Sequence, residues 1–134
     1  MIFTKTDLRY PVNFFGPGLR INHYGLLIVN SNAKIGANCD IHQGVNIGQN
    51  HARRDVPTIG DNVWIGPGAK LFGDIHIADG ISIGANAVVN KSFTEENITI
   101  AGMPAKKIKE APSNKDRKQA VQRQIQAWEM EQRC

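Results

Sequence analysis

The chain predicts an all-β solenoid, on three observations. Sampling every sixth residue from position 23 gives His23, Val29, Ile35, Ile41, Ile47, Arg53, Ile59, Ile65, Leu71, Ile77, Ile83 and Val89, and ten of these twelve are aliphatic. The residue after this slot is often glycine, as at Gly36, Gly48, Gly60, Gly66 and Gly84. The residue two before it is mostly small or β-branched, as at Ala33, Cys39, Val45, Val63, Ala69, Ile75, Ile81 and Ala87. A period of six over 67 residues fits neither a helix nor a two-residue alternation. It fits a coil of short strands that turns a corner every six residues.

Each element follows from that period. One aliphatic per hexad points into a narrow prism and stacks on its equivalent in the next coil. Gly36, Asn38, Gly60, Asn62, Gly66, Gly84 and Asn86 fall at corners, where glycine and asparagine tolerate unusual backbone angles. Coils bury their core only against neighbours, so several are needed. Twelve hexads at three per coil give about four coils, spanning residues 19–94. An arginine at slot 53 would be costly in a dry prism. Residues 49–56 are therefore expected to leave the coil as a loop, with the register kept because Ile59 lies twelve residues after Ile47. Residues 1–18, with Tyr10, Pro11, Phe14 and Phe15, are expected to cap the first coil. Residues 95–134 form a C-terminal element and an α-helix, in which Ser113 or Asn114 caps a stripe of Val121, Ile125 and Trp128.

Composition narrows the class. The chain has 134 residues and 14.8 kDa, which predicts one domain. With 41% hydrophobic and 21% charged residues it reads as a globular protein rather than a disordered one. No apolar run approaches the ~18 residues of a membrane span. The start, MIFTKTDLRY, lacks the apolar core of a secretory signal, so a cytoplasmic location is expected. Cys39 and Cys134 form no metal pattern and no disulfide framework. The net charge of +4 is local: residues 1–105 carry 8 basic and 8 acidic residues, residues 106–134 carry 8 and 4. That excludes a broad nucleic-acid face and suits a small polyanion or a solvated helix.

Three stretches carry more than the fold: IGANCDIHQGVNIG, PTIGDNVWIGPGAKLFGDIHIADGISIGANAVV and AGMPAKKIK. They resemble the hexapeptide-repeat acyltransferase family, and within it the serine acetyltransferases and the small O-acetyltransferases of sugars and polysaccharides. The resemblance covers about residues 16–110. It implies a left-handed parallel β-helix, a homotrimer, and acetyl-CoA as co-substrate in the groove between neighbouring prisms, with no metal. It implies acetyl transfer to a small-molecule or glycan hydroxyl, first of all a sugar, with free serine as the alternative acceptor.

The resemblance also implies site residues. His23, in LRINHYG, matches the family's catalytic histidine. A hydroxyl has negligible alkoxide at neutral pH, so a neutral imidazole in reach must take its proton during attack on the thioester. The slot phase would make His23 a core residue instead, unless the register slips there. Asn22 stands where serine acetyltransferases have an acid, and His42 is expected to point outward near the acceptor. An arginine–histidine pair that helps hold serine falls on Asp55 and Val56, and an orienting aspartate falls near Leu8, beside Asp7. For acetyl-CoA the matching residues are Gly66, Pro67, Ala69, Gly84, Ala85, Asn90, Lys91, Gly102, Pro104, Lys106 and Lys109, with Lys107 in the same basic cluster. Outward Leu26, Trp64 and Phe72 are expected at an interface. A different class, a trimeric β-helix without acyl transfer, such as a zinc-dependent carbonic-anhydrase-like protein, would draw on His42, His51 and His76.

Overall fold

Described here, from a computed structural model, are residues 15–23, 25–50 and 55–110, with the backbone of Ile2–Phe3. The described elements are short strands wound in coils. After β1 (Ile2–Phe3), the first coil holds β2 (Arg20–Ile21) and β3 (Leu27–Val29). The second holds β4 (Lys34–Ile35), β5 (Asp40–Ile41) and β6 (Asn46–Gly48), and the third β7 (Thr58–Ile59), β8 (Trp64–Ile65) and β9 (Lys70–Phe72). The fourth holds β10 (His76–Ile77), β11 (Ser82–Ile83) and β12 (Val88–Val89). β13 (Ile98–Ala101) adds a further rung beyond residue 94, and β14 (Lys106–Glu110) folds back antiparallel onto it.

Stacking the coils makes three flat faces. One is β1-β3-β6-β9-β12, one is β10-β7-β4, and one is β14-β13-β11-β8-β5-β2. Every coil-to-coil pairing is parallel, while β1 joins β3 antiparallel at the edge. The register aligns the inward aliphatics in columns: Ile21, Ile41, Ile65, Ile83 and Ile100 on the six-stranded face, and Val29, Ile47, Leu71 and Val89 on the five-stranded one. The small and β-branched residues two positions earlier are buried with them. Burial of this stack is the main driving force for the fold.

Corners use two devices, and the sequence reading separated them only in part. Asn38, Asn62 and Asn86 have φ of 58°, 58° and 59°, the left-handed conformation expected of them. Gly36, Gly60, Gly66 and Gly84 are not in that region. They are glycine because the next coil passes too close: a Cβ on Gly66 would lie 2.8 Å from the Ala85 amide nitrogen and 2.9 Å from the Ile83 carbonyl oxygen.

Up to Val89 the six-residue spacing breaks twice. Ile35 pairs with Ile59, so the corner between Ile47 and Ile59 holds six extra residues; residues 51–54 lie outside the described ones, and the Asn50 amide bonds the Asp55 carbonyl at 3.1 Å across the base. In the first coil the inward positions are Ile21 and Val29, eight residues apart, where Ile41 and Ile47 are six apart. Position 23 is therefore not a slot. The two extra residues fall at this corner and put His23 on the surface. Arg53 and the expected C-terminal helix lie outside the described residues, as do Tyr10, Pro11 and Phe14 of the expected cap.

Candidate active site

The site grows from one corner column. The residue after each inward aliphatic of the six-stranded face is Asn22, His42, Gly66, Gly84 and Ala101 in successive coils. The first two carry polar side chains and the rest have almost none. The corner therefore changes along its length from a polar cluster to a nearly bare backbone.

His42 anchors the cluster. Only 9% of it is exposed: it follows the inward Ile41, but side chains of neighbouring coils cover it. The coils above and below close over it: Asn22 lies on one side, and Trp64 packs edge-on at 4.8 Å between ring centroids on the other. Its Nδ1 sits 2.7 Å from the Ile65 carbonyl oxygen. A carbonyl only accepts, so Nδ1 carries a proton, and Nε2 is left to accept from the Asn22 amide that faces it. Asn22 Nδ2 donates one hydrogen to Asp40 Oδ1, and its second faces that Nε2 at 3.3 Å and the Ile41 carbonyl at 3.4 Å. Asp40 is buried at 7% exposure. His23 is exposed at the rim, its ring centroid 6.1 Å from that of His42.

The structure thus brings together Asn22, His23 and His42, and adds Asp40, which sequence reasoning missed. A signal was present. Asp40 and His42 are two apart across a strand position, so they leave the backbone on the same side. Their partner Asn22 follows Ile21 as His42 follows Ile41.

The remaining residues divide by exposure. Ala69 is fully buried in the prism, so it cannot line a ligand groove; this corrects its assignment. Gly66 is buried as well, and its lack of a side chain serves coil stacking. Gly84 answers to the same demand, since a Cβ there would lie 2.9 Å from Ala101 Cβ. Pro67 is half-buried, and Ala85, Asn90, Lys91, Gly102, Pro104, Lys106 and Lys109 are exposed. The Val88 amide bonds the Gly102 carbonyl at 3.0 Å, and the Ala105 amide bonds the Val88 carbonyl at 2.8 Å. The 102–105 segment therefore runs beside Val88 of β12. Lys107 is different: its Nζ is held by Glu95 at 2.7 Å and Glu110 at 2.6 Å, so its charge is already balanced. The Glu110 and Glu95 carboxylates push the Lys107 ammonium above its ordinary range, and Lys107 pulls Glu110 below the carboxylate range.

Asp55 and Val56 lie at the base of the 49–56 loop, and Asp7, Leu8 and His51 lie outside the described residues. Among the described residues no group of three or more His, Cys, Asp or Glu could hold a metal. His42 has both ring nitrogens engaged and His76 belongs to a different face, so these two do not fit a shared zinc site within one chain. No helix among the described residues is long and apolar enough to cross a membrane.

The coiled faces and the corner column have counterparts among known proteins. Residues 57–91 match the family described as bacterial transferase hexapeptide (six repeats). Over 110 residues, 81% of its length, the chain is 37% identical to a serine acetyltransferase of Staphylococcus aureus, covering 51% of that protein. It is 31% identical over 109 residues to one from Buchnera aphidicola, covering 79% of this chain and 39% of the relative. Solved structures agree. A serine acetyltransferase from Brucella abortus in complex with coenzyme A superposes with a TM-score of 0.70 at 36% identity, over 76% of this chain and 41% of that one. The chain resembles serine acetyltransferases and shares their left-handed parallel β-helix. It spans about half or less of the length of these relatives.

Proposed function

We propose that this chain is an O-acetyltransferase that uses acetyl-CoA and a small hydroxyl acceptor, with His23 as general base. The observation that carries the reading is the corner column: a histidine-bearing polar cluster at one end and side-chain-poor positions Gly66, Gly84 and Ala101 leading away from it. The bare stretch suits the extended arm of coenzyme A. Exposed Lys91, Lys106 and Lys109 near the last rungs suit its phosphates by charge, and among the described residues none of the three forms an ion pair with a carboxylate. Lys107 drops out of that group because Glu95 and Glu110 hold it.

The chemistry needs one base. His23 takes the proton of the acceptor hydroxyl as its oxygen attacks the thioester carbon. The new C–O bond forms, the C–S bond breaks, and the proton passes from the imidazolium to the departing thiolate. Positioned acid–base catalysis of this kind contributes roughly 10²–10⁴-fold.

For the acceptor, the names of the relatives support serine over the sugar first expected from the sequence. A sugar hydroxyl remains the second reading on one observation: Asp55 and Val56 stand where the serine-holding pair falls. A homotrimer belongs to the same proposal, with exposed Leu26 and half-buried Trp64 and Phe72 as apolar outward residues. The deciding experiment is thiol release from acetyl-CoA, measured with serine, galactosides and glucosamines as acceptors. Release that depends on serine supports the first reading and release that depends only on sugars the second. No acceptor-dependent release with any of them would refute the activity.

A further inference from the structure

We infer that Asp40 is a positioning residue for His23, acting through Asn22; this rests on the proposed acetyl transfer. A carboxylate 93% withdrawn from solvent is costly unless it is hydrogen-bonded. Here it accepts from Asn22 Nδ2, the atom that also faces His42 Nε2 and the Ile41 carbonyl. The Asp40 carboxylate and the Ile41 carbonyl can only accept, and His42, with Nδ1 donating to the Ile65 carbonyl, offers its Nε2 to the same amide. The Asn22 carboxamide is therefore held in one orientation: a flip would set its oxygen against the Asp40 carboxylate and the lone pair of His42.

That hold matters because of the longer corner. The parallel ladder stops at the Asn22 amide, bonded to the Ile41 carbonyl at 3.2 Å, and resumes where the Leu26 carbonyl accepts from Gly44 at 2.7 Å. Among the described residues, His23 and Gly25 make no backbone hydrogen bond between these points. The last fixed residue before the exposed imidazole is Asn22, and coil 2 fixes its side chain through Asp40 and His42. His23 is thereby placed by a neighbouring coil rather than by its own strand.

The test is a double-mutant cycle on acetyl transfer by the full chain. Asp40→Ala is expected to lower kcat by about 10²-fold, the scale of an ångström of misplacement, with the KM for acetyl-CoA within twofold. Asp40→Asn keeps an acceptor for Asn22 and is expected to recover most of the loss; it also stands in if the alanine variant folds poorly. In a His23→Ala background Asp40→Ala is expected to change nothing further, since it acts through the absent ring. Full kcat in folded Asp40→Ala, or the same loss with and without His23, would overturn the positioning role while leaving the activity in place. Absence of acetyl transfer by the parent protein would overturn the activity and this role together.

Discussion

His23 and Gly66 sit at opposite ends of what one residue can do in this fold. His23 is exposed, outside the core columns, with its ring 6.1 Å from the His42 ring. His23→Ala should therefore leave the melting temperature and coenzyme A binding nearly unchanged while turnover falls by roughly 10²–10⁴-fold. Gly66 behaves in the reverse way. Its Cβ would meet backbone of the next coil at 2.8 Å, and backbone cannot step aside. Gly66→Ala should cost about 1–3 kcal/mol, the usual range for overpacking. Gly48→Ala is the control, because the nearest atom there is the tip of the Asn46 side chain at 3.3 Å. Chemical denaturation of the two variants checks the contrast. Equal losses would show that coil spacing is not what requires glycine at 66.

Strands and corners show why part of the architecture was legible in the sequence. A column of inward aliphatics leaves a period of six, and so the faces, coils and buried small residues follow directly. Two extra residues in one corner leave no such mark, because His23 still falls on the count of six; only the pairing of Ile21 with Ile41 and Val29 with Ile47 reveals the slip. The burial of His42 was hidden for a related reason. Its cover comes from Asn22 and Trp64, 20 residues before and 22 after, in neighbouring coils. Lys107 was hidden by its partners too: AKKIK reads as a basic run until Glu95 is brought across from the bend that precedes β13.

That Lys107 tie has a pH dependence of definite sign. Glu110 is lowered, so its share is present above the ordinary carboxylate range and is lost as pH falls through the depressed value. Lys107 is raised, so its share is present below the ordinary lysine value and is lost as pH rises through the elevated one. Amide chemical shifts of β14 should stay constant through neutral pH and move at both extremes. Lys107→Met should abolish the movement that comes from the pair. Movement near neutrality would contradict the assignment. All three side chains are exposed, so the global melting temperature should change little.

The described residues form a prism with a polar corner at the first two coils and exposed Lys91, Lys106 and Lys109 at the last rungs. If coenzyme A lies along that corner, it ties several coils together, and acetyl-CoA at a hundred times its dissociation constant should add about 2.7 kcal/mol of stability. Alanine at Lys91, Lys106 and Lys109 should weaken that stabilisation, while Lys107→Ala should weaken it least. The central claim is that the corner transfers an acetyl group with His23 as its base. Its most direct test is steady-state thiol release from acetyl-CoA with serine as acceptor, and in parallel with the sugar panel, for the parent protein and His23→Ala. The account predicts acceptor-dependent release by the parent and a loss of at least about a hundredfold in the variant, with its fold intact. A folded His23→Ala protein that turns over as fast as the parent would contradict it.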